Sequence, residues 1–139
     1  MSEPVFEITK AAAFDAAHRL TGHPAGEPYS RLHGHSFRIE ATVRGPARPP
    51  VGWVDDLGAL DAALKEIAAA LDHGLLNDIP GLQSPTLEAL CVHVAGRLQD
   101  RFPDLCRVVV SRPSAGESCA LGLPATLATA ASDSTGQTL

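Results

Sequence analysis

The chain has 139 residues, of which 45% are hydrophobic and 19% charged; one domain with one real core is the expectation, and long disorder, collagen and coiled coil are excluded. No window approaches about 18 uninterrupted apolar residues, which argues against a membrane span, and the net charge of −5 argues against nucleic acid or an anionic membrane as partner. The opening MSEPVFEITK lacks the layout of an export signal, and the three cysteines, Cys91, Cys106 and Cys119, form no C-x-x-C pair, so the expected setting is the cytoplasm with reduced thiols.

From Val5 to Phe14 the apolar residues Phe6, Ile8, Ala12 and Phe14 follow period two, which predicts a strand that can run on to His18. Thr21 to Arg31 holds Gly22, Pro24, Gly26 and Pro28 and reads as a loop. Ser36 to Arg44 alternates Phe37, Ile39, Ala41 and Val43 against Arg38, Glu40, Thr42 and Arg44, the clearest strand in the chain. Asp55 and Asp56 then open a helix whose Leu57, Leu60, Leu64, Ile67 and Leu71 share one face, with Gly74 as its stop. Ser84-Pro85 reads as a cap followed by proline at the first helical position of a second helix. Leu87, Leu90, Cys91, Val94, Leu98 and Phe102 form its core stripe, and Pro103 its end. Cys106 to Val110 is a short strand, with Glu117 to Leu123 as its hairpin partner. The expected order is β-β-α-α-β-β, an α+β fold with helices on one face of an antiparallel sheet. Residues 1–124 are expected to form the domain and 125–139, rich in Ala, Thr and Ser, a flexible tail.

The six histidines carry the chemistry. His33 and His35 flank Gly34 at the entry to the best strand, and residues two apart on a strand point the same way. His18, at the end of the preceding strand, comes beside them if the two strands pair antiparallel. Three neutral imidazoles without a fourth protein ligand are the donor set of a catalytic zinc site with an open position; the alternative is surface histidines at a strand end. Asp72-His73 closes the first helix. If the two side chains meet, the carboxylate orients the imidazole as a proton shuttle; the alternative is a histidine favoured by the negative helix end. His93 reads as structural and His23 as solvent-exposed.

F-D-A-A-H-R-L at 14–20, R-L-H-G-H-S-F at 31–37, G-W-V-D-D-L at 52–57, L-D-H-G-L-L-N-D-I-P-G-L at 71–82 and P-T-L-E at 85–88 together resemble the 6-pyruvoyltetrahydropterin synthase / 6-carboxytetrahydropterin synthase family. The resemblance runs in order over most of residues 5–112. It implies the tunnelling fold, a four-stranded antiparallel sheet with two helices on one side, assembled as homotrimers that can stack into homohexamers. It also implies Zn2+ on His18, His33 and His35, a catalytic Asp72–His73 pair, and 7,8-dihydroneopterin triphosphate as the small-molecule substrate, with Thr86 of P-T-L-E as a substrate contact.

The chain departs from this family twice. The family's usual base is a cysteine upstream of H-G-H; at its two family spacings this chain has Tyr29 and Glu27. Glu27 can serve if burial raises its pKa, and Tyr29 if its phenol is strongly acidified. The glutamate that holds the pterin ring should follow V-V-V at 108–110, and Arg112 stands there. A cation cannot accept ring N–H groups, but suits a carboxylate, phosphate or carbonyl. Glu117 is the nearby acid that can replace the anchor if the hairpin is rearranged. The leading expectation is a zinc enzyme of the lyase, isomerase or cyclase/dehydratase type that moves protons beside a metal-bound oxygen of a non-standard substrate. The alternatives are a true pterin lyase using Glu27 or Tyr29, and a non-catalytic metal-containing binding protein.

Overall fold

The computed structural model describes residues 3–22 and 28–124. Their strands are β1 (Phe6–His18), β2 (His33–Gly45), β3 (Leu105–Arg112) and β4 (Glu117–Gly122), and their helices are α1 (Leu57–Leu71) and α2 (Leu87–Leu98). The strands form one antiparallel sheet in the order β1-β2-β3-β4, the predicted architecture. β1 and β2 pair from Phe6↔Gly45 to His18↔His33 without interruption. β2 and β3 pair through Ile39↔Val110 and Ala41↔Val108, with an irregularity at Thr42/Val43.

One face of the sheet is apolar because period-two alternation places Phe14 and Ala16 of β1, Phe37, Ile39, Ala41 and Val43 of β2, and Val108 and Val110 of β3 on the same side, all buried. α1 covers β1, and α2 covers β3 and β4. α1 contributes Leu60, Leu64, Ile67 and Leu71 to the core, and α2 contributes Leu90, Cys91, Val94 and Leu98. Leu57, expected on the same stripe, is 40% exposed: at the first helical residue it lines an open surface cavity with Phe6, Ile8 and Trp53. Burial pushes the Cys91 thiol up to about 12, so it is an inert core residue.

β1 runs on to His18, as the sequence allowed, and β2 runs past its predicted 36–44 at both ends, from His33 to Gly45. The alternation that continues past Phe37 and Phe14 is carried by His35, His33, Ala16 and His18, whose polar members hide it from an apolar count. Asp56 caps α1 by accepting from the Gly58 and Ala59 N–H groups at 2.8 and 3.3 Å. The cap of α2 is Thr86, not Ser84: its hydroxyl accepts from Ala89 N–H at 3.1 Å, and Pro85 lies outside the helix. α2 ends at Leu98, ahead of Pro103, and Phe102 reaches the core from the following turn. α1 ends on Asp72, and the left-handed residue after it is His73 (φ 57) rather than Gly74. Two backbone bonds to β1 hold this exit: His73 N–H donates to the Asp15 carbonyl at 2.6 Å and Ala17 N–H to the Gly74 carbonyl at 2.9 Å.

Candidate active site and metal centre

The site lies where the helix-facing side of the sheet runs past its apolar core. His18, His33 and His35 project from that side, with ligand atoms all within 4.8 Å of one another. Phe37 forms the floor, its ring centroid 5.9 Å from that of His18 and 5.7 Å from that of His35. His18 is fully buried. Asn77 pins the segment beside it: its side chain accepts from Arg19 N–H at 3.0 Å and donates to the Arg19 carbonyl at 2.8 Å.

Two backbone carbonyls fix the tautomers. His18 Nδ1 is 3.1 Å from the Pro85 carbonyl oxygen and His33 Nδ1 is 2.6 Å from that of Arg31. A carbonyl only accepts, so each Nδ1 is the N–H and each neutral ring offers Nε2 as a lone pair. The two Nε2 atoms face each other at 3.0 Å. Burial pushes His18 down to about 4, so that ring is neutral at pH 7. Burial and then the Arg112 charge lower His35 as well. Opposed lone pairs at this distance call for a proton or a cation between them, and imidazoles oriented through Nδ1–H to carbonyls are the usual outer shell of a metal site. The donor set therefore fits a borderline divalent ion such as Zn2+.

A second group sits at the exit of α1. Asp72 Oδ1 accepts from Asp15 N–H at 2.9 Å, and Asp72 Oδ2 is 2.8 Å from His73 Nδ1. The carboxylate is thus held by the β1 backbone and in turn orients the imidazole, whose side chain is 81% exposed. The Asp15 N–H bond, then the His73 bond, lower the Asp72 pKa; the Asp72 bond and charge raise that of His73. Removing the charge in Asp72→Asn removes what favours the imidazolium, so the His73 midpoint is expected to fall. NMR titration of the imidazole C–H signals measures it, and an unmoved midpoint would mean the pair is not formed in solution. A cleft of about 540 Å³ joins His73 to His35 along Asp15, Gly34, Ser36 and Ser114.

A cavity of about 440 Å³ opens beside the imidazoles, lined by Tyr29, Arg31, His33, His35, Arg112 and Glu117 among others. It unites five of the residues singled out from sequence: Tyr29, His33, His35, Arg112 and Glu117. Arg112 and Glu117 are cross-strand partners at the β3–β4 turn, so Glu117 reaches the cavity without any lengthening of the hairpin. Thr86 serves as the α2 cap described above. Glu27 and His23 lie outside the described residues, as does the tail from 125. His93 is half-buried on α2, and its burial lowers its pKa. Sequence reading missed the backbone partners: Pro85 sat in a quoted motif and Asp15 in another, but nothing local marks a carbonyl or an N–H that serves a distant side chain.

A family model described as 6-pyruvoyl tetrahydropterin synthase matches residues 7–121. The chain is 38% identical over 98 residues to the 6-carboxy-5,6,7,8-tetrahydropterin synthase of Synechocystis, covering 67% of this chain and 74% of that protein. It is 33% identical over 96 residues to the dihydroneopterin monophosphate aldolase of Pyrococcus furiosus, covering 69% and 77%. The solved 6-pyruvoyl tetrahydropterin synthase of Caenorhabditis elegans superposes with a TM-score of 0.76 at 21% identity, over 89% of this chain and 99% of that one, and so shares the tunnelling fold. With a match across nearly the whole described length and relatives above 30% identity, the chain belongs to the 6-pyruvoyl tetrahydropterin synthase family.

Proposed function

We propose that this chain is a metal-dependent enzyme of its family, of the lyase, isomerase or cyclase/dehydratase type. It acts on a small molecule that presents an anionic or carbonyl group, rather than a pterin amine edge, to Arg112. The observation that carries this reading is the opposed pair of Nε2 atoms on His18 and His33, whose tautomers two backbone carbonyls fix. A divalent ion held by His18, His33 and His35 supplies Lewis acidity to a substrate oxygen.

The chain's own residues supply the rest. His73, oriented by Asp72, gives or takes a proton at Nε2, and its raised pKa keeps the acid form populated closer to neutrality. Tyr29 lines the cavity with His33 and His35, which puts its phenol in reach of a substrate held there; Glu27 remains the other candidate base. Arg112 offers a planar cation to a substrate carboxylate, phosphate or carbonyl. A non-catalytic binder needs no oriented Asp–His pair, so the dyad argues for catalysis. That relatives carry the names of a synthase and an aldolase supports a scaffold whose reaction varies.

The sheet ends in two edge strands, β1 and β4. Closing them against copies of the same chain satisfies their free backbone groups and supports a homotrimer, or a homohexamer of two such rings.

A second reading is favoured by one observation. Glu117 places a carboxylate in the cavity, and a carboxylate can accept the N–H groups of a pterin, as a 6-carboxytetrahydropterin synthase-like lyase requires. Incubation of the zinc-loaded protein with 7,8-dihydroneopterin triphosphate, followed by mass spectrometry with a His33→Ala control, decides between them. The expected result is no metal-dependent loss of triphosphate or of a two-carbon fragment. Such a loss would establish the second reading instead.

A further inference from the structure

We propose that Arg112 and Glu117 form a displaceable clamp, in which Arg112 is the binding point for an anionic group of the ligand and Glu117 occupies it until that group arrives. The inference rests on the reading that the cavity beside the imidazoles is the substrate site.

The placement of Arg112 follows from strand alternation. Val108 and Val110 precede it on the inner side of β3, both fully buried, so the next inner residue carries its guanidinium onto the helix-facing side, in the row beside Phe37. Its side chain is only 13% exposed. Its Nε is buried and, among the described residues, is the buried side-chain nitrogen left without a hydrogen bond. A buried guanidinium N–H without an acceptor is costly, and a ligand oxygen entering the cavity relieves that cost.

Glu117 is a poor permanent partner. Its Oε1 lies 3.1 Å from Arg112 Nε, close enough for an ion pair but out of line for the N–H. The pairing uses one oxygen and one nitrogen, whereas a guanidinium binds a carboxylate or phosphate best through two parallel N–H groups. Glu117 also sits at the start of the outermost strand, directly after the left-handed Gly116 (φ 68), and its side chain is half-exposed at 50%. It can swing into water without disturbing the core. Among the described residues of the cavity lining Glu117 is the one carboxylate, set against Arg112 and two imidazoles. At about 440 Å³ the cavity is of a size for a small metabolite.

The test uses the 15N-labelled full chain and follows the Arg112 Nε–H signal while inorganic phosphate, or glycolate as a simple carboxylate, replaces chloride at constant ionic strength. That signal reports on the clamp itself rather than on an anion resting on a metal. A saturable shift is expected with at least one probe; phosphate alone assigns a phosphate group to the ligand, and glycolate alone a carboxylate. Glu117→Gln should tighten the apparent affinity by about two- to fivefold, the range set by an exposed ion pair, and Arg112→Gln should abolish saturation. Glu117→Thr, which suits an exposed strand, repeats the test if Glu117→Gln folds poorly. Unchanged or weaker binding in the Glu117 variants, or no saturable shift in any form, overturns the clamp. Turnover of dihydroneopterin triphosphate together with tighter binding in Glu117→Gln would overturn the substrate reading above while leaving the clamp in place.

Discussion

Replacing His33 with alanine is expected to empty the metal site. Purified wild-type protein should carry about one zinc per chain, as one three-imidazole site requires, and the variant should fall to background by elemental analysis. The reason is geometric. His33 Nε2 faces His18 Nε2 at 3.0 Å, so its loss leaves two donors and removes the group that makes the buried His18 a chelating partner. A second readout is thermal: zinc at about a hundredfold excess over its Kd stabilises a folded protein by about 2.7 kcal/mol, and that gain should vanish in His33→Ala. His93→Ala, which alters a half-buried histidine of α2, is the control and should keep its metal. Equal zinc content in wild type and His33→Ala would place the ion elsewhere.

Phe37→Ala should cost the most stability of any single change beneath the site. Phe37 is 1% exposed, stacks on Phe14 with ring centroids 5.1 Å apart, and meets the edges of His18 and His35. Truncation removes a large apolar side chain from beneath the imidazoles and leaves a void that the paired β1 and β2 backbones cannot collapse into. The expected loss is about 3–5 kcal/mol, read from urea unfolding of the metal-free protein with an unchanged m-value. Metal affinity should fall as well, by about 10- to 100-fold, as it does when the groups that orient metal ligands are removed. A loss below about 1 kcal/mol would mean the floor repacks and does not hold the imidazoles. The two variants separate the roles: His33→Ala removes a donor from an intact fold, and Phe37→Ala loosens the fold under intact donors.

Local pattern carries far in this chain. The alternation at 36–44 follows from period two, and the antiparallel pairing of β1 with β2 found in the structure then brings His18 beside His33. The Asp56 cap and the α1 core face follow from signals within one or two helical turns. Part of the imidazole cluster was legible for the same reason: H-G-H on a strand puts two histidines on one side before any tertiary contact is made.

What the sequence alone determined is thus the fold class, the element order and the placing of His33 and His35 on one side of a strand; the pairing register that sets His18 against His33 came with the structure. The tertiary structure decided everything that depends on residues far apart in the chain. Ser84 and Thr86 are both cap formers, and the approach of His18 to the Pro85 carbonyl accompanies an α2 start capped by Thr86. Asp72 and His73 are neighbours in any conformation, yet they become an oriented pair through the Asp15 backbone and a left-handed His73. Arg112 and Glu117 read as competing candidates for one role and prove to be cross-strand partners in one cavity. In each case the deciding contact is a hydrogen bond, an ion pair or burial imposed by a distant segment, and neither period nor spacing records which distant backbone group a side chain will meet.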